Sequence, residues 1–194
     1  MIKLNHIKKR LTDRCCKDSR KAKGFTLIEM LVTIAVLVIV VASMPSLLGV
    51  VKNGRLTANA NNLLFAFVAA RDEAVLRNHP VSICPSNNQS DCSGSDWQQG
   101  WIVFADQNGS GDKDGDDAVL QVFASEGDIA SLSSSNFDES VTFRADGTSA
   151  VSGGFTLCDD RGTAHAKAIC VAYTGIAKVT NSGCSGVAIS CPDA

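Results

Sequence analysis

The sequence is short of the residues on which most enzymes and metal sites depend. Among 194 residues there are three histidines, two tryptophans and a single tyrosine. No Gly-x-Ser-x-Gly elbow, Walker loop or His-Glu-x-x-His pair occurs, so the motifs of serine-nucleophile, nucleotide and zinc-protease chemistry are missing. Cys-x-x-Cys is absent as well, and neither His79 nor His165 has a second histidine at ligand spacing, which argues against zinc. His79 precedes Pro80 at an expected helix end, His165 falls in a turn between Cys158 and Cys170, and His6 belongs to the basic amino-terminal stretch. Asp159 and Asp160 are neighbours in a turn, where adjacent carboxylates point apart. The expectation is a protein that is not an enzyme and holds no cofactor or metal.

Positive charge is scarce over most of the chain. Residues 1–24 carry nine Lys/Arg against Asp13 and Asp18, a net of +7; residues 25–194 carry the other nine against eighteen Asp/Glu, a net of −9. A body of that sign repels polyphosphate at long range and argues against nonspecific nucleic-acid binding. Cysteines divide in the same place. Cys15 and Cys16 lie in the basic stretch; Cys84, Cys92, Cys158, Cys170, Cys184 and Cys191 lie in the acidic body. Six cysteines in an oxidising compartment allow three disulfides in any of 15 pairings. The shortest loops give 84–92, 158–170 and 184–191 as the expected set.

Between the two charge regimes lies the run KGFTLIEMLVTIAVLVIVVASMPSLLGVV, from Lys23 to Val51. The 22 residues 30–51 are uncharged, enough helix to cross a hydrocarbon core of about 30 Å. Basic residues beside a membrane segment stay in the cytoplasm, which puts the leader inside and the body outside. Glu29 is the one acid in the run, and a carboxylate in lipid costs a few kcal/mol unless it finds a partner. In a secretory signal the apolar region precedes the cleavage site; here Gly24 precedes the apolar run, so a cut there leaves the helix on the mature chain.

The order basic–Gly-Phe-Thr-Leu-Ile-Glu–apolar, in KGFTLIEMLVTIAVLVIV, resembles the type IV prepilin signature. That resemblance implies cleavage after Gly24 by prepilin peptidase, N-methylation of Phe25, and bundling of the apolar helices into a filament core. Glu29 then meets the amino terminus of a neighbouring subunit, so that neither charge stays unpaired.

Pro45 removes a helical hydrogen bond, and a kink is expected just above it. Beyond it Leu56, Ala60, Leu63, Phe67, Ala70 and Ala74 recur at helical spacing with polar residues between them, an amphipathic helix that Asn78 and Pro80 end. Alternating segments follow at 81–84, 101–104, 119–123, 141–143, 155–157, 169–173 and 187–189, while the serine-rich 131–136 reads as a loop. The expected fold is α+β: a long helix, half transmembrane and half amphipathic, packed on a predominantly antiparallel sheet. Its expected divisions are a cleaved cytoplasmic leader (1–24), a transmembrane and assembly half-helix (25–51), an amphipathic half-helix (52–78) and a β-rich domain (79–194).

Three stretches narrow the resemblance: RLTANANNLLFAFVAARDEAVLRNHPVSIC from Arg55, WQQGWIVFADQNGSGDKDGDDAVLQVF from Trp97 and FRADGTSAVSGGFTLCDDRG from Phe143. They resemble the FimT/FimU minor pilins and the related GspH-type pseudopilins, and with the amino-terminal signature the likeness covers most of residues 24–180. Trp101, Phe104 and Phe123 are accordingly expected in the core. The resemblance implies an inner-membrane protein with a periplasmic domain that moves to the cell surface. Other minor and major pilins would be its partners, and its role would be to initiate pilus assembly at or near the tip. A pseudopilin of type II secretion is the alternative, as is a tip subunit that binds DNA or another ligand. DNA-binding FimT proteins carry Gly-Arg-x-Arg after the last core strands; here Gly175-Ile176-Ala177-Lys178 stands in that place, without the bidentate arginines. Residues 106–117 approximate a calcium loop, but Asp117 replaces the bidentate Glu and the flanks read as strands, so no metal is expected there.

Overall fold

The computed structural model describes residues 24–124, 131–137, 139–186 and 188–191, with the side chains of 43–47 and 185 left aside. Its longest element, α1, spans Leu27–Arg77. Thr26 starts it: the Glu29 amide donates to Thr26 Oγ1 at 3.3 Å, and the Thr26 amide donates to Glu29 Oε2 at 3.5 Å. This reciprocal pair is a capping box, satisfying two of the donors that a helix start leaves orphaned. At the other end Asn78 takes a positive φ of 52°, and the His79 amide reaches back to the Ala74 carbonyl at 3.1 Å, so the chain turns off before Pro80.

The chain divides into two compact units between Pro45 and Ser46, with the helical assignment continuous through both. In the first unit the described side chains from Phe25 to Ala42 are exposed on every face of the helix. Among the described residues no helix is long and apolar enough to cross a membrane; residues 43–47 of the expected span lie outside the described side chains.

In the second unit one face of α1 is buried. Leu56, Ala60, Leu63, Phe67, Ala70 and Ala74 are all inside, joined by Ala66. Two four-stranded antiparallel sheets complete this core instead of the single sheet expected. β1 (Val81–Pro85), β2 (Gly100–Ala105), β3 (Val119–Ala124) and β5 (Val141–Phe143) form the first sheet, in the order β3-β2-β1-β5. β4 (Ser131–Ser135), β6 (Gly153–Cys158), β7 (Lys167–Val171) and β8 (Ala177–Thr180) form the second, in the order β4-β6-β7-β8. Phe67 of α1 lies between Phe143 of the first sheet and Phe155 of the second, with ring centroids 6.4 and 5.3 Å away. Trp97 and Phe137 close on Phe155 at 4.9 and 5.5 Å, so one aromatic group ties helix and both sheets together.

The serine-rich 131–136 is largely strand, not loop: Ser131 to Ser135 pair with Cys158 to Gly154 of β6. Leu132 is its one large buried side chain, and the backbone ladder does the rest. β8 was not among the expected strands. The strand expected at 187–189 is not found; residues 188 and 189 lie in irregular chain, and 187 is outside the described residues. Of the three expected core aromatics, Trp101 faces the main core and Phe123 packs partly buried against it. Phe104 points the other way, into a small cluster with Cys84 and Ile102, as strand alternation requires.

Candidate functional site

Gly24 and Phe25 precede the first turn of α1 in irregular, exposed chain, with the Phe25 ring 80% accessible. Glu29 sits one turn in and is held to Thr26 by the capping box, so its carboxylate points back toward the end of the chain that a cut after Gly24 would create. The sequence carries the sign of this in Thr-x-x-Glu, a spacing that the reading of Glu29 as a lone acid passed over.

The six body cysteines are all bonded: Cys84–Cys92, Cys158–Cys191 and Cys170–Cys184. The first pair is as expected; the other two correct the expected 158–170 and 184–191. The strand register explains the correction. Cys170 lies opposite Gly154, four residues from Cys158. Four residues of strand span about 13 Å, whereas bridged Cα atoms sit within about 7 Å. Each cysteine of the second sheet, Cys158 and Cys170, therefore bonds to the carboxy-terminal segment. Gly154 makes room for this, since a Cβ there would lie 2.4 Å from Cys184 Sγ.

Asp159 is buried and Asp160 exposed, and each meets a cation. Arg161 forks onto Asp159, with Nε 2.9 Å from Oδ2 and its terminal nitrogen on the same oxygen. Arg161 also reaches the Gly49 carbonyl at 3.4 Å, while Asp160 takes Lys52 Nζ at 2.5 Å. The guanidinium hydrogen bond holds the Asp159 carboxyl below its ordinary range against the opposing effect of burial. The β6 turn is thus clamped to the first turns of the domain-bound part of α1. Arg161 went unnoticed in the sequence because its partners are a main-chain carbonyl 112 residues away and a carboxylate two residues before it.

The loop after β2 turns its first and last acids, Asp106 and Asp117, inward and leaves Asp112, Asp114 and Asp116 exposed. Buried Asp106 accepts from Ser82 Oγ at 2.7 Å, the Gly111 amide at 2.8 Å and the Ser110 amide at 3.0 Å. Asp117 accepts from the Gln107 and Asp114 amides at 2.9 and 3.0 Å. These carboxylates serve as turn acceptors for backbone donors. Among the described residues no three His, Cys, Asp or Glu side chains converge as a metal site. His79 is half-buried after the helix end, and His165 is exposed in a short 3-10 turn; His6, Cys15 and Cys16 lie outside the described residues.

Gly175-Ile176-Ala177-Lys178 forms the β7–β8 turn and the start of β8. Gly175 has a φ of 76°, and a Cβ there would come within 1.9 Å of the Gly147 carbonyl oxygen, which Arg71 Nε also contacts at 2.9 Å. Glycine is therefore needed for packing alone. Ile176 and Lys178 are exposed and line a groove of 920 Å³ over the second sheet.

A long helix whose second half packs on antiparallel sheets, preceded by an exposed Gly-Phe junction, defines the chain as a pilin-like protein of the minor pilin and pseudopilin kind. Comparison with known proteins makes this specific. The family of the type II transport protein GspH matches residues 59–175, and the prokaryotic N-terminal methylation motif matches residues 19–44. The chain belongs to the GspH family. Among solved structures it is similar to the type IV minor pilin FimU of Pseudomonas aeruginosa strain PAO1. The match has 21% identity and a TM-score of 0.53, and covers 66% of this chain and 89% of that one. The same pilin in a second crystal form gives 19% identity over 64% and 91% of the two chains, with a TM-score of 0.45. At that identity the likeness concerns the fold. No curated protein sequence matches the chain.

Proposed function

We propose that the chain is a minor pilin: cut after Gly24 by a prepilin peptidase, methylated on Phe25, held in the inner membrane by residues 25–51 with the domain in the periplasm, and then drawn into a filament. In the filament it helps to initiate type IV pilus assembly at or near the tip, among other minor and major pilins. The observation that carries this reading is the first helical unit. It shows apolar side chains on all faces, and a helix of that kind must be covered by lipid or by other helices. The match to the methylation motif and the fold shared with FimU support it. Glu29 then pairs with the amino terminus of a neighbour. Gly24→Val tests the processing step, because a side chain at the cut should leave the leader attached; mature protein of normal mass from this variant contradicts the assignment.

The match to GspH favours a second reading, a pseudopilin of type II secretion. Deletion in the native host separates the two. Loss of surface pili and twitching with secretion intact supports the pilus, and the reverse supports the secretion system. In either setting the role is structural, not catalytic.

A further inference from the structure

Strand alternation gives the second sheet two unlike faces. Phe155, Leu157, Ile169, Val171 and Val179 point into the core, which leaves Gly154, Thr156, Cys170, Lys178 and Thr180 on the opposite face. The carboxy-terminal segment crosses this outer face and is fastened to it by Cys170–Cys184 and Cys158–Cys191. Between segment and sheet lies the 920 Å³ groove, at the upper end of the size of small-ligand sites.

Its lining has an unusual composition for this molecule. Hydroxyl and amide side chains dominate it, among them Ser135, Asn136, Thr156, Thr180, Ser182 and Tyr173, and among the described residues no Asp or Glu lines it. Among the described residues Lys178 is its one charged residue, exposed and without a carboxylate partner, in a body where acids outnumber bases two to one. Tyr173 and Ile176, 63% and 61% exposed, give the rim two bare apolar surfaces beside the lysine. The disulfide at Cys184 and the space left by Gly154 fix the wall against the floor, so the groove exists before any ligand arrives and little ordering opposes binding.

We propose that this groove binds an acidic saccharide, a short run of uronic-acid sugars. The hydroxyl-rich floor meets the ring hydroxyls, the faces of Tyr173 and Ile176 meet the apolar faces of the rings, and Lys178 meets the carboxylate in a charge-assisted hydrogen bond. A longer polyanion would extend past that lysine onto a body of net charge −9, which disfavours it at long range. The groove works the same way in a pilus or a pseudopilus, so failure of the assembly reading leaves this one standing, and the reverse.

Tyr173 is the sole tyrosine, so 3-fluorotyrosine labelling of the full chain in detergent micelles places one fluorine signal on the groove rim. Titration with tetragalacturonate should shift that signal saturably, and the fully methyl-esterified tetramer should need about tenfold more for half-saturation. Lys178→Gln should bring the acidic tetramer to the level of the ester and leave the ester unchanged. Three results would overturn the proposal: no saturable shift from either tetramer at millimolar concentration, equal binding of both with Lys178→Gln without effect, or tighter binding of a ten-nucleotide single-stranded DNA than of the tetragalacturonate.

Discussion

Gly154 shows how much one missing methyl group settles. A Cβ at that position would stand 2.4 Å from Cys184 Sγ, and the Cys170–Cys184 bond lies against the same spot. Gly154→Ala should therefore cost roughly 1–3 kcal/mol as an overpacking change and leave free thiol after oxidative refolding. Gly115→Ala, where nothing lies within 4 Å, should stay within about 0.5 kcal/mol. Thermal unfolding with thiol titration reads both, and equal melts for the two variants would remove Gly154 from the account. Glu29 poses a subtler residue question, because it both caps α1 and is proposed to pair with a neighbour's amine. Glu29→Gln separates these roles: glutamine keeps a capping box but has no charge. Its helix should be as stable as the parent's, and its incorporation into filaments should fall as far as that of Glu29→Ala. Normal piliation with Glu29→Gln would leave capping as the whole role.

At the scale of elements, the clamp between the β6 turn and α1 is the contact most open to test. The Lys52–Asp160 pair is exposed and worth at most about 1 kcal/mol, so Arg161 with its buried partner Asp159 carries most of the effect. Arg161→Ala should speed amide exchange around residues 49–53 while the sheets keep their protection. Asp159 has its carboxyl lowered in the fold, so it adds stability above the ordinary carboxylate range, lost as pH falls through the folded value. Protection near residue 49, taken relative to the intrinsic exchange rate at each pH, should thus fall in acid, and Asp159→Asn should flatten that dependence. How far the elements could be read from sequence varies for physical reasons. The helix was legible because Leu56 through Ala74 repeat at its own period. β4 was not, since its alternation rests on Leu132 among serines and its evidence is the β6 ladder. The disulfides followed strand register, which loop length does not report: Cys158 and Cys170 are close in sequence but displaced along neighbouring strands. A peptide map of the oxidised protein should find Cys158 with Cys191 and Cys170 with Cys184; the sequential pairs would contradict the register.

The whole molecule divides by how its parts are read. The amino-terminal motif is legible because Gly24, Phe25 and Glu29 stand in one linear run that needs no fold to bring it together. The groove was illegible because β6, β7, β8 and the carboxy-terminal segment build it together, and only folding sets Lys178 among hydroxyls. The fold and the match to the GspH family place the chain in its class; its place in a filament rests on what happens to the first helix. The most direct test is the mass of the chain recovered from sheared surface filaments. The account predicts a chain that begins at Phe25, carries one methyl group on its amine and has three disulfides. A chain found only in membranes and still beginning at Met1 would contradict it.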